Sequence, residues 1–190
     1  METEHPDEPA PTIWAISDGR AGNAVQAAAL ATASARLLGG GVVEKTVTIR
    51  PPLQLLPAPL WALGGARAGG WPFTALADGG EQLAPPWPRL AIGAGRRSAP
   101  FVAALKRLGG ARAVQILDPG PGRRAFDLVV APRHDRLSGA NAVETLGALN
   151  ALDPARMAAE ADRWRPRLGH LPSPRVAVLV GGPSRSAAFG

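Results

Sequence analysis

His134 and Asp135 stand side by side directly after an apolar run, and an imidazole beside a carboxylate can take a proton from a hydroxyl nucleophile. Adjacent residues rarely make a working dyad, so a solvated loop with a chance His-Asp pair is the plain alternative. Asp18 offers a second carboxylate, in the loop 17–23 that follows the short apolar segment 12–16. There Ser17, Asp18, Arg20 and Gln26 supply side chains, while Gly19 and Gly22 let backbone approach a ligand. The loop opens an alanine-rich helix whose free amides favour an anion, although a strand-to-helix turn would need the same residues. In 93–98 glycine again meets bases ahead of a helix, which suits a phosphate, a carboxylate or a tight turn. Gly95 gives close backbone approach there, and Arg96 lies nearer the strand end than Arg97. Asn141 and Thr145 could add hydrogen bonds near the same rim, but turn formation accounts for Asn141 almost as well. After the last apolar run, Gly181 and Gly182 would let backbone reach a phosphate, with Ser184 and Arg185 as donors.

Composition removes several classes of chemistry. With no cysteine there is no disulfide, thiolate metal site or cysteine nucleophile, and the three histidines, His5, His134 and His170, are too scattered to form a metal cluster. No metal is expected. The chain lacks both the G-x-G-x-x-G dinucleotide fingerprint and the G-x-x-x-x-G-K-[ST] phosphate loop, and Glu44 comes too early in its strand to read a ribose. Lys+Arg number 21 against 15 Asp+Glu, and Glu2, Glu4, Asp7 and Glu8 sit in the N-terminal tail, so the body is more basic than the net +6. Phosphate-bearing ligands fit that charge. Only Lys45 and Lys106 are lysines, however, which reads as coding bias toward arginine, and no specific nucleic-acid binding is expected. No segment reaches the roughly 18 uninterrupted apolar residues of a membrane span, and the start is unlike a signal peptide. The expected location is cytoplasmic, with peripheral contact at an inner membrane as a further option.

The elements that must position these residues alternate. Strand 12–16, helix 23–38 and strand 42–49 come first, followed by strand 90–92, helix 99–108, strand 113–117 and strand 126–131. Asp153-Pro154 caps a helix to about residue 168, while 142–149 is ambiguous. Between them, 51–88 is apolar but broken by proline and glycine. It predicts short helical turns, as irregular core or, with its tryptophans near Arg50 and Arg67, as a membrane-facing surface. The fold class that follows is α/β, an open, mostly parallel Rossmann-like sheet with flanking helices. The domain reading is a disordered acidic tail at 1–11, a domain at 12–168, a hinge at 169–174, and at 175–190 the strand and loop of a second, incomplete unit.

Taken in order, residues 17–26, 92–97, 115–119, 126–135, 141–150 and 175–184 resemble the mitochondrial fission "elongate mitochondria" family. The resemblance implies the N-terminal half of a two-domain GT-B-like glycosyltransferase, as in the bacterial branch. Such an enzyme would move a sugar from a nucleotide-diphosphate sugar to a cell-envelope glycan or lipid acceptor. It needs no cofactor beyond that substrate, and this fragment alone is expected to be incomplete as an enzyme. In that reading His134 or Asp135 is the base, Asp18 the second candidate, and Arg20 and Arg96 offset phosphate charge. The resemblance also implies an alternative, a noncatalytic scaffold that binds a protein partner, as in the plant branch. A short-chain-type epimerase is excluded, because the chain has no tyrosine for its Tyr-x-x-x-Lys pair.

Overall fold

Ile13 to Ser17 are all buried, as a strand covered on both faces must be. The structure is a computed structural model that describes residues 12–57, 60–63 and 65–178. Residues up to Ala151 form one unit and those from Leu152 another. The first carries β1 (Thr12–Ser17), α1 (Ala21–Leu38), β2 (Gly41–Thr46), α2 (Leu60–Leu63), β3 (Leu90–Ala94), α3 (Ala99–Gly109), β4 (Arg112–Ile116), β5 (Leu128–Pro132) and β6 (Ala142–Thr145). The strands make one sheet in the order β2-β1-β3-β4-β5-β6, and every pairing is parallel. The expected α/β sheet is therefore present. The ambiguous segment after Asn141 resolves as β6, paired through Val130 and Val143.

Alternation along each strand sorts the core into two layers. Ile13 and Ala15 of β1 join Ile92, Ala94 and Ile116 beneath α1, which contributes Ala27 and Ala31 one turn apart. Trp14 and Ile16 point the other way, into a layer with Phe101, Val102 and Leu105 of α3. That second layer also takes Val47, Trp61, Phe73, Leu76 and Leu83 from the irregular segment. Short turns do occur there, at Leu53–Leu55, Phe73–Ala75 and Glu81–Leu83, with α2 between the first two. Trp61 stacks on Trp71 at 4.9 Å between centroids and meets Phe101 edge-on at 5.8 Å. The indole N–H groups of Trp61, Trp71 and Trp87 each donate to a backbone carbonyl. Trp61 is core, and Trp71 and Trp87 pack half-buried against that core, with their polar tips satisfied.

Both long helices of this unit stop at glycine. Gly39 at φ +72° and Gly110 at φ +66° turn the chain left-handed and return their N–H groups to Ala35 and Lys106. In the second unit α4 (Pro154–Leu168) begins as its sequence predicts, with the Asp153 carboxylate accepting from the Arg156 N–H at 2.7 Å. Arg175 to Val178 carry no strand, and Gly181, Gly182 and Ser184 lie outside the described residues.

One ion cluster ties three elements of the sheet unit. Asp127 accepts from the Ala113 N–H at 2.8 Å and lies 2.9 Å from the Lys106 ammonium and 3.5 Å from the Arg112 guanidinium. Burial pushes its carboxyl up, but the Ala113 N–H, the Lys106 hydrogen bond and the two positive charges outweigh it, so the net shift is downward. A depressed carboxylate stabilises the fold fully above its ordinary value of 3.8, and that contribution disappears as pH falls below it. Asp127→Asn is expected to cost about 1–2 kcal/mol at neutral pH. In urea titrations the gap between the variant and the parent should narrow at about pH 3.

Candidate functional site

The strand order reverses between β1 and β3, because the chain leaves β1 toward β2 on one side and later returns to β3 on the other. At such a point the loops beyond the carboxyl ends diverge and leave a gap. A crevice of about 530 Å³ lies there, lined by Asp18, Arg20, Asn23, Gly95, Arg96, Arg97, Leu117, Asp118, His134 and Asp135. The loops after β1, β3, β4 and β5 all contribute. Two helices, α1 and α3, begin beside it and bring the positive ends of their dipoles.

Asp18 is the anchored carboxylate. Its side chain is 4% exposed, and Oδ1 accepts from Asn23 Nδ2 at 2.8 Å and from the Arg20 N–H at 3.4 Å. The Arg20 guanidinium lies 3.5 Å from Oδ2 and is itself two-thirds exposed. Such a buried charge persists only with partners of this kind. Gly19, at φ +77°, makes the turn beneath it. Across the crevice His134 Nε2 lies 3.6 Å from Asp135 Oδ1, with the imidazole open to solvent. The pair does come together, because a short 3-10 turn over Arg133–Asp135 folds the two side chains toward each other.

Below the rim, the loop after β3 is pinned from behind. Gln115 and Ser98 are fully buried, and Gln115 Nε2 donates to the Gly95 carbonyl at 2.9 Å and to the Ile116 carbonyl at 3.1 Å. Ser98 Oγ lies 2.9 Å from the same Gly95 oxygen and 3.0 Å from that of Ala94. Gly95 takes φ +82°, and a Cβ on it would run into the Asn23 carboxamide. Arg96 Nε donates to the Asp118 carbonyl at 3.3 Å, and Leu117, at φ +69°, turns the chain so that Asp118 reaches the rim.

Other sequence candidates sit elsewhere. Ser17 is buried, and its Oγ accepts weakly from the Gly19 N–H at 3.4 Å. Gln26 is buried along α1 and donates to the Gly22 carbonyl, and neither lines the crevice. Asn141 donates to the carbonyls of Arg123 and Phe126, fastening the chain ahead of β5 to that ahead of β6. Thr145 donates to the Gly147 carbonyl. Sequence reasoning missed Asn23, Gln115 and Asp118. The Asn23 signal was available, since it follows Asp18 at the start of a helix, where a short amide can reach back. Among the described residues no cluster of three metal-ligating side chains occurs.

Gly93 shows how tightly this support is packed. A methyl there would sit 2.6 Å from Gln115 Oε1, 2.7 Å from Val102 Cγ2 and 2.9 Å from Ser98 Oγ. Gly93→Ala is expected to lower the unfolding free energy by about 1–3 kcal/mol through overpacking. Urea denaturation measures this, and an unchanged midpoint would contradict the packing described.

Searches among curated proteins and among solved structures found no significant match. A family profile described as mitochondrial fission ELM1 matches residues 21–190, which takes in every loop of the crevice except the residues before α1. The chain belongs to the mitochondrial fission ELM1 family.

Proposed function

We propose that the crevice is the acceptor-side half of a sugar-transfer site of GT-B type, working on a nucleotide-diphosphate sugar and a hydroxyl acceptor. The observation that carries this reading is the convergence, at one switch point, of Arg20, Arg96 and Arg97 with the exposed His134–Asp135 pair. Guanidinium groups and two helix amino ends suit a diphosphate without a metal ion. In the transfer, the acceptor oxygen bonds to the anomeric carbon as the bond from that carbon to the diphosphate oxygen breaks. The diphosphate leaves with the electron pair, and the acceptor proton passes to His134 or Asp135. Arg20 offsets the charge that builds on the leaving group, and Arg96 and Arg97 offset negative charge on the donor diphosphate or the acceptor. Asp18, held by Asn23 and Arg20, keeps the first loop in place and is the second carboxylate within reach.

Calorimetric titration with uridine, guanosine and adenosine diphosphate sugars tests the reading. Saturable binding is expected to weaken about tenfold in Arg20→Ala, the loss of one charge-assisted contact. Asn141→Ala, at a residue that does not line the crevice, should leave it unchanged. A folded two-domain form that binds none of the panel would sink the donor assignment. In a transfer assay of a two-domain form, His134→Ala and Asp135→Ala are each expected to reduce turnover by about 10²-fold or more. Normal rates in both would remove the base.

The family description names mitochondrial fission and no reaction, which favours a second reading as a protein-binding scaffold. A partner retained with unchanged affinity by Asp18→Ala and Arg96→Ala would support the scaffold.

A further inference from the structure

We infer that a second crevice beside the first binds a single-chain amphiphile with a phosphate head, its chain lying in the groove and its head at Arg96 and Arg97. The groove encloses about 550 Å³, and its apolar wall includes Ile49, Leu56, Trp61, Pro100, Ala103 and Phe126. That size is ordinary for a small-molecule site. Trp61 is held rigid by Trp71 and Phe101, so the wall is preformed. Around this wall stand Arg96, Arg97, Lys106, Arg107 and Arg124, and among the described residues no carboxylate lines the groove. Asp127 offsets Lys106, whereas none of the four arginines has a carboxylate partner among the described residues.

The chemistry of this lining selects one kind of occupant. Among the described residues, a nucleotide base or sugar would find Gln54 as the only neutral polar side chain of the groove with which to exchange hydrogen bonds. An uncharged hydrocarbon would leave the arginines unanswered. An apolar chain ending in a phosphate satisfies both, burying methylenes against Trp61 and Phe126 while guanidinium groups grip the head. Arg96 and Arg97 line both crevices. A head bound there therefore presents whatever it carries beyond the phosphate to Asp18, His134 and Asp135. Resting on the sugar-transfer reading, this makes the acceptor a lipid-linked phosphate. The binding itself stands independently of that reading.

Titration of the chain with monomeric dodecyl phosphate tests the inference, alongside inorganic phosphate, dodecanol and vesicles of phosphatidylglycerol in phosphatidylcholine. Dodecyl phosphate should bind one to one. Arg124→Ala, at an exposed position, should weaken it several-fold, and Ala103→Trp, which fills the groove, about tenfold or more. Inorganic phosphate and dodecanol should each bind at least about tenfold more weakly than the amphiphile, since each supplies half of the contacts. Equal binding of inorganic phosphate would mean a head-only site, and binding to vesicles without binding to the monomer would mean surface association. Either result overturns the inference, as does amphiphile affinity unmoved by both substitutions. Nucleotide-sugar titration separates the two proposals. Amphiphile binding without donor binding leaves this inference standing and removes the donor, and the reverse removes this inference alone.

Discussion

One carbonyl oxygen, that of Gly95, holds the crevice in shape. The Gln115 amide and the Ser98 hydroxyl both reach it from the buried side, while the Gly95 N–H donates to Ile116 of the neighbouring strand. Beyond the fixed oxygen, Arg96 ties the loop to the chain after β4 by donating to the Asp118 carbonyl. With no side chain on Gly95, Asn23 can come close enough to hold Asp18. Gly93 completes the arrangement by leaving room for Gln115. The arrangement has a cost, since Gln115 Oε1 is buried without a hydrogen-bond partner, a penalty on the order of 1–3 kcal/mol. Rigidity at the crevice floor is what that penalty maintains.

The sheet was legible because burial on both faces forces unbroken apolar runs. Ile13 to Ile16 and Leu128 to Ala131 read as strands for that reason. Gln115 was not legible as a support, since a polar residue inside β4 looks like an ordinary interruption of the pattern. Its role depends on Gly93 and Ser98, which are remote in sequence and adjacent only after folding. Asn141 shows the opposite ambiguity. A turn and a ligand rim use the same residue type, and only its two bonds to Arg123 and Phe126 separate them. At the His134–Asp135 pair, sequence supplied the residues, and the 3-10 turn supplied the geometry.

The irregular segment presented a different difficulty. Trp61, Leu76 and Leu83 belong to the core, yet prolines and glycines between them erase any period of two or 3.6. The segment folds as a cover laid over α3 and the sheet, fastened by the antiparallel bridge between Ile49 and Leu76. Its apolar residues fill the second core layer and also supply one wall of the basic-rimmed groove. A membrane-facing surface and an irregular core call for similar residues, and burial of Trp61 favours the core.

β2 bears on how copies of this protein behave at high concentration. It lies at one margin of the described sheet and pairs only with β1, so its outer backbone groups could template another strand. Glu44 is exposed there, and the Lys45 ammonium curls back over the Trp14 ring at 4.7 Å. A neighbouring strand would have to bury both charges to dock. The margin thus guards itself against stacking into fibrils, and two charged residues of a six-residue strand provide the guard.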